Sequence, residues 1–261
     1  MKQRPAFPAK LDTAVRARTG AQRAPVAPSA STARVPAVPQ PQGLGMDSTA
    51  VRMNMVQKLR GQGITDAAVL AAMGAIERHR FVDSGLVNQA YEDTSLPIGL
   101  GQTISKPGVV SRMAELMRNG ASGKIGRVLE IGTGCGYQAA VLSLLATEVY
   151  SIERLRGLHD KARDNLRHLR LPNVHLLFGD GMEGYAKGAP YAAIIAAAGG
   201  EAVPQAWVEQ LAVGGRLVAP VVTGTGKGSA QALLVLDKTP QGVRQTLLEP
   251  VHFVPLKSGV A

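Results

Sequence analysis

Three carboxylates and one run of alternating glycines are the residues of this chain best placed to do chemistry. Glu130 opens the segment Glu130-Ile131-Gly132-Thr133-Gly134-Cys135-Gly136, which follows Arg127-Val128-Leu129 and leads into a helix-like stretch over 137–146. Glycines at every second position allow a sharp turn and let a ligand approach the main chain without meeting a Cβ. A nucleotide-like ligand is the natural occupant. The dinucleotide fingerprint G-x-G-x-x-G needs a glycine where this chain has Tyr137, which counts against a bound pyrophosphate. The other two acids stand where such a ligand presents donors. Glu153 ends the strand-like segment 148–153 and suits ribose hydroxyls, while Asp180, followed by Gly181, comes just after the strand-like segment 174–178 and suits an adenine amino group. Each feature alone has a plainer reading, as a strand-to-helix turn or a helix cap. Three acids at three successive strand ends point to a site.

Bringing those strand ends together calls for an α/β framework whose strands deliver their C-terminal edges to one crevice. The remaining pattern fits around it. Residues 47–60 read as a helix with Val51, Met55, Val56 and Leu59 on one face, and residues 66–77 read as a second helix capped by Thr65. Residues 91–107 are polar, glycine-rich and without regular periodicity, and precede a helix over 109–117, which marks them as a functional loop. The alanine-rich 192–198 reads as a buried fourth strand. Residues 231–237 and 243–248 read as paired strands joined by Thr239-Pro240-Gln241-Gly242. The expected fold class is a single α/β domain with a doubly wound, mostly parallel sheet, helices on both faces and two N-terminal helices covering one side.

With 261 residues and 45% apolar content, the chain has enough material for one full core, placed over 46–261. Residues 1–45 differ: rich in Pro, Ala, Ser and Arg, with few large apolar side chains, they are expected to be a disordered tail. Seven basic residues against Asp12 give this tail +6 of the chain's +10 formal charge. The basic balance is therefore mainly a property of the tail, and no specific nucleic-acid partner follows from it. No secretory signal and no long apolar span is evident, so a cytoplasmic protein without membrane association is expected. The lone Cys135 has no internal disulfide partner, and the five histidines show no metal spacing. No metal is expected.

The acid-x-Gly-x-Gly-x-Gly segment resembles the first motif of class I S-adenosylmethionine-dependent methyltransferases, whose cofactor carries a sulfonium and an ammonium and no phosphate. A narrower resemblance rests on Pro97-Ile98-Gly99 with Gln102-Thr103-Ile104-Ser105. It is joined by the 130–138 loop, Gly179-Asp180-Gly181, a turn over 210–217 and the ending Val251-His252-Phe253-Val254-Pro255-Leu256. Over roughly residues 47–257 the chain is similar to the protein-L-isoaspartate O-methyltransferase family. That resemblance implies a Rossmann-like, seven-stranded sheet with an antiparallel edge hairpin. It also implies methylation of the carboxylate of isoaspartyl residues in damaged proteins and peptides, which starts their repair through a succinimide; separately, a monomer is expected. By the same resemblance Ser105 is the active-site residue and Thr103 lies beside the cofactor. Glu130, Gly132, Gly134, Gly136, Glu153, Asp180 and Gly181 are the expected contacts to S-adenosylmethionine. Read from the residues alone, Ser105, two positions before Pro107, is a helix N-cap, a role that can coexist with the active-site one, and Lys106 either attracts an acidic substrate or is simply solvated.

Four positions depart from the family pattern. Ala192 stands where an Asp is usual near the start of the fourth strand, Cys135 replaces a serine, Lys106 a glutamine and His252 an arginine. The missing acid at 192 either weakens the electrostatic setting of the sulfonium or alters packing. The segment Ala197-Ala198-Gly199-Gly200 lacks the Asn/Asp-Pro-Pro-aromatic signature of nucleic-acid amino methylation, and Cys135 lacks the preceding proline of a cytosine C5 nucleophile. A small-molecule carboxyl or other class I methyltransferase, and a non-catalytic cofactor-binding relative, remain as alternatives.

Overall fold

The computed structural model describes residues 49–224 and 230–261; the segment 1–45, expected to be disordered, lies outside them. In chain order the elements are α1 (Thr49–Gly61), α2 (Ala67–Ala75), the short strands β1 (Leu96–Gly99) and β2 (Gln102–Ile104), and α3 (Pro107–Arg118). There follow β3 (Ile125–Ile131), α4 (Tyr137–Leu145), β4 (Ala146–Glu153), α5 (Arg156–Leu166), β5 (Val174–Phe178), β6 (Tyr191–Ala196) and α6 (Gln205–Gln210). The chain finishes with β7 (Leu211–Thr223), β8 (Ala230–Thr239) and β9 (Gly242–Val251).

Seven strands form one sheet in the order β5-β4-β3-β6-β7-β8-β9. The first five run parallel to their neighbours, and β8 and β9 pair antiparallel at the edge. The expected hairpin and mostly parallel sheet are both present. Because successive strand side chains face opposite ways, each strand feeds two cores. Val128, Val149, Ala193 and Val218 pack with Met113 and Met117 of α3 and Leu142 of α4. Leu129, Ile152, Ile194 and Leu217 pack with Trp207 of α6 on the other face. The strand order reverses direction between β3 and β6, and a crevice opens there beyond their C-terminal ends.

Helices α1 and α2 cover one side as expected, but as a third layer. Met55, Leu59, Val69 and Met73 share a cluster with Tyr137, Ala140 and Val141 of α4, so they rest on helices and not on the sheet. The cap of α2 is Asp66, whose Oδ1 accepts from the N–H groups of Ala68 (2.9 Å) and Val69 (3.1 Å). Thr65 instead donates its N–H and hydroxyl to Glu115. The carboxylate, one residue closer to the helix, reaches the free N–H groups first.

Residues 91–107 are more regular than their composition suggests. β1 and β2 form a small hairpin turning at Leu100 (φ 51) and Gly101 (φ 69), with Leu96, Ile98 and Ile104 buried. The expected turn over 210–217 is instead the irregular start of a single long strand, β7, which kinks at Gly214 (φ 84). Among the described residues, no helix is long and apolar enough to cross a membrane and no group of His, Cys, Asp and Glu is arranged to hold a metal ion.

Candidate active site

The glycine loop after β3 is fastened to the end of β4. Gly132 and Thr133 donate their N–H groups to the Ile152 carbonyl (2.9 and 3.1 Å). Glu153 takes the next one: its Oε2 accepts from Gly134 N–H and its Oε1 from Leu155 N–H, both at 2.9 Å. Each carboxylate oxygen accepts a further bond, so both remain open to a ligand's hydroxyls. Gly132 has φ 90 and stands against Ala197, the first residue after β6. A side chain there would be strained and would fill the crevice.

Glu130 lies beneath the loop, fully buried, and not in the crevice wall. It sits opposite Ser151 in the parallel register. Ser151 Oγ donates to Glu130 Oε2 at 2.5 Å, and Thr133 Oγ1 lies 2.6 Å from Ser151 Oγ. Glu130 Oε1 and the amide nitrogen of Gln138 are buried without a hydrogen bond among the described residues. Burial pushes the Glu130 carboxyl up to about 8; the charge of Glu153 adds to this, while the Ser151 hydroxyl and the Gln138 amide oppose it. The acid is therefore a neutral prop at pH 7, one layer behind the ligand surface. Gly136 is likewise behind the loop: it begins α4 with φ 90, and a Cβ would meet Leu166 at 3.1 Å.

Two cavities meet at this crevice. A smaller one of about 450 Å³ is lined by Gly132, Gly134, Glu153 and Gly181, with Ile98, Leu100, Ile152, Leu155 and Leu158 as apolar walls. Its size is that of a small-molecule site. Apolar walls around a single acid suit a nucleoside, and Arg154 and Lys257 stand at the same rim. A larger groove of about 760 Å³ runs past Ser105, Lys106, Arg112, Glu249 and His252. A recess of about 40 Å³ lies at the boundary, lined by Ser105, Gln138 and the glycine loop. Thr103 and Ala197 border all three spaces. Thr103 is exposed, as a residue at such a junction must be.

Ser105 does not cap α3. The N-cap position is Lys106, which makes no side-chain cap bond. The N–H of Gly108 donates instead to Asp93 Oδ1 at 2.7 Å, and Asp93 Oδ2 accepts from the Gln62 amide at 3.2 Å. A carboxylate from a distant loop thus does the capping, and the half-buried Ser105 hydroxyl is left without an intramolecular bond among the described residues, facing the groove. Asp93 lies 15 residues before Gly108 in sequence, with no local signal to reveal it.

Asp180 borders the smaller cavity through its neighbour Gly181. Its Oδ1 accepts from Met182 N–H (2.8 Å) and its Oδ2 from Gly259 N–H (2.5 Å). Gly181 is required sterically, because a Cβ would stand 2.6 Å from Ile131 Cγ2, and its carbonyl accepts from the Trp207 indole at 2.8 Å. Ala192 lies at the opposite end of β6, five positions before Ala197 and so roughly 16 Å from the crevice at strand spacing. Its Cβ packs beside Gly126, where an added Cβ would stand 3.1 Å away. The substitution at 192 is therefore a packing change at the far sheet edge, and it leaves the electrostatics of the crevice alone.

Comparison with known proteins agrees with this geometry. The family pattern described as "Protein-L-isoaspartate(D-aspartate) O-methyltransferase (PCMT)" matches residues 50–261. A protein of Methylibium petroleiphilum named protein-L-isoaspartate O-methyltransferase is 59% identical over 84% of this chain and 81% of its own length. One of the same name from Ralstonia nicotianae is 54% identical over 90% and 76%. A solved structure of a protein-L-isoaspartate O-methyltransferase superimposes with a TM-score of 0.71 at 28% identity, covering 80% of this chain and 67% of that one. A Plasmodium falciparum structure, solved with S-adenosyl-L-homocysteine, shares the fold with a TM-score of 0.66 at 21% identity, over 79% and 98%.

Two outcomes follow from the site's electrostatics and capping. Glu130 binds its proton more tightly folded than unfolded, so its contribution to stability is complete below the unfolded pKa near 4.5. It is lost as pH rises to about 8 and is flat beyond. Urea unfolding of Glu130→Gln across pH 5 to 9 should lack this decline, which in the native chain amounts to roughly a few kcal/mol; parallel profiles would contradict the assignment. Replacing Asp93 by Ala should lower stability by about 1 kcal/mol and speed amide exchange at Gly108, while Asn, which keeps an acceptor, should retain most of both.

Proposed function

This chain belongs to the protein-L-isoaspartate(D-aspartate) O-methyltransferase family, and we propose that the smaller cavity holds its cofactor, the larger groove its isoaspartyl substrate, and Ser105 the boundary between them. The protein transfers a methyl group from S-adenosylmethionine to the carboxylate of L-isoaspartyl residues in damaged proteins and peptides, the step that starts their repair. The observation that carries the placement is the junction: Thr103 and Ala197 border both spaces, and Ser105 lines the groove and the recess between them.

Gly132, Gly134 and Gly181 bring bare backbone to the cofactor, Glu153 offers its free lone pairs to the ribose hydroxyls, and Asp180 stands at the adenine end. Glu130 supports the loop from beneath without touching the ligand. When bound, S-adenosylmethionine supplies a methyl group on a sulfonium, which makes a protein nucleophile unnecessary.

The chain's own task is orientation. The substrate carboxylate, with a pKa near 4, is already ionised at neutral pH, so no general base is needed. The unpartnered Ser105 hydroxyl donates to one carboxylate oxygen and turns the other toward the recess. Lys106, exposed at the groove and without an ion pair among the described residues, adds attraction for an anion. Fixing two reactants in this way contributes on the order of several kcal/mol. Val109, Val251 and Phe253 give the groove apolar walls that limit water. Both cavities fall within residues 46–261 of one chain, which supports a monomer as the working unit and this segment as the catalytic domain.

The test is transfer of labelled methyl to a peptide carrying one isoaspartyl residue, with the aspartyl peptide as control. Base-labile label should appear on the isoaspartyl peptide alone. Ser105→Ala should lower kcat/KM by roughly tenfold to a hundredfold, the worth of one hydrogen bond to a charged group, with S-adenosylhomocysteine affinity unchanged. Equal labelling of both peptides would defeat the assignment, and a Ser105→Ala enzyme at the native rate would defeat the role given to Ser105.

A further inference from the structure

Past β9 the chain turns back across the mouth of the smaller cavity. Val254, Pro255, Leu256 and Lys257 form part of its wall. They are held at the β6 side: Gly199 N–H donates to Val254 O (2.9 Å) and Leu256 N–H to Gly199 O (2.8 Å). The following residues fasten to the opposite rim. Gly259 N–H donates to Asp180 Oδ2 at 2.5 Å, and Arg154 Nε donates to Gly259 O at 2.8 Å. Ala261 pairs in both directions, its N–H to Arg154 O and its carbonyl from Arg156 N–H, each 2.8 Å. The segment therefore bridges from the end of β6 to the end of β4, passing the cavity that holds Glu153.

The two halves of this bridge differ physically. Leu256 is half-buried, whereas residues 257–261 are exposed and Val260 keeps 54% of its surface in water. The outer half is held by hydrogen bonds alone, with no apolar burial behind them. Segments of that kind open locally at little free-energy cost while the rest of the fold stays intact. One of its latches, moreover, is Asp180, the acid at the adenine end of the cavity.

We propose that residues 258–261 are a clasp that holds the wall residues Val254 to Lys257 across the cofactor cavity, and that it must open for S-adenosylmethionine to enter and for S-adenosylhomocysteine to leave. Its latches, Gly259 on Asp180 and Arg154 on Gly259, set how long the ligand stays. The inference rests on the smaller cavity being the cofactor site. A clasp slows entry and exit together, so loosening it changes the rates more than the affinity; a simple wall contact would change affinity through release alone.

The experiment follows tritiated S-adenosylhomocysteine. Its Kd and its release into excess unlabelled ligand are measured for the full chain, for Gly259→Pro, which removes the N–H donor and the φ 73 backbone, and for a chain lacking residues 258–261. Gly259→Pro, which loses one exposed hydrogen bond, should release the ligand roughly fivefold faster, and the truncated chain, which loses four, roughly twentyfold or more, each with a smaller change in Kd. Release at the native rate in both, or a Kd that rises as much as the release rate, would overturn the clasp. Failure of the full chain itself to bind S-adenosylhomocysteine would instead remove the cofactor assignment beneath it.

Discussion

One carboxylate shared between two backbone N–H groups holds the site in shape. Glu153 accepts from Gly134 on the glycine loop and from Leu155 at the start of α5, so the ends of β3 and β4 are fixed relative to each other. A loop this rich in glycine has no side chains with which to fix itself, and its conformational entropy has to be offset from outside. The Ile152 carbonyl and the buried Glu130, Ser151 and Thr133 chain complete that support from below. With the loop fixed, Gly132 faces Ala197 and the crevice between β3 and β6 acquires a defined width. The cavities and their junction depend on that width.

A second constraint acts on the substrate side. The start of α3 leaves N–H groups that need acceptors, and Ser105 is the residue locally equipped to serve one. Asp93 takes Gly108 instead, which leaves the Ser105 hydroxyl unpaired at the groove among the described residues. The helix cap is thus supplied by a loop that also lines the groove, and the local hydroxyl is left out of it. An unpaired, half-buried hydroxyl at the meeting point of two cavities has little structural purpose of its own.

Much of this was legible in the sequence because it is local. The alternating glycines, the acid ending β4 and the Asp180-Gly181 turn just past β5 depend on residues close in sequence, and the edge hairpin was marked by its own turn residues. What escaped was what folding brings together from afar. The Asp93 cap, the segment 254–257 in the cavity wall and the fastening of Gly259 to Asp180 across 79 positions have no periodicity to reveal them. The hairpin of β1 and β2 was hidden because Pro97, Gly99 and Gly101 mask the alternation of Leu96, Ile98 and Ile104. The depth of Glu130 was hidden too, since a spacing that places an acid beside a loop does not say on which side of the strand it points. Ala192 drew attention as a missing acid, and its place at the far end of β6 gives it no part in the crevice.

The central claim is that the two cavities hold the two reactants with Ser105 between them. The most direct measurement is a crystal structure of the protein with S-adenosylhomocysteine and an isoaspartyl peptide. The expected result has the nucleoside in the cavity of Gly132, Glu153 and Gly181, the peptide in the groove of Lys106 and His252, and an isoaspartyl carboxylate oxygen within hydrogen-bond distance of Ser105 Oγ. A carboxylate bound elsewhere in the groove, with Ser105 making no contact, would contradict it.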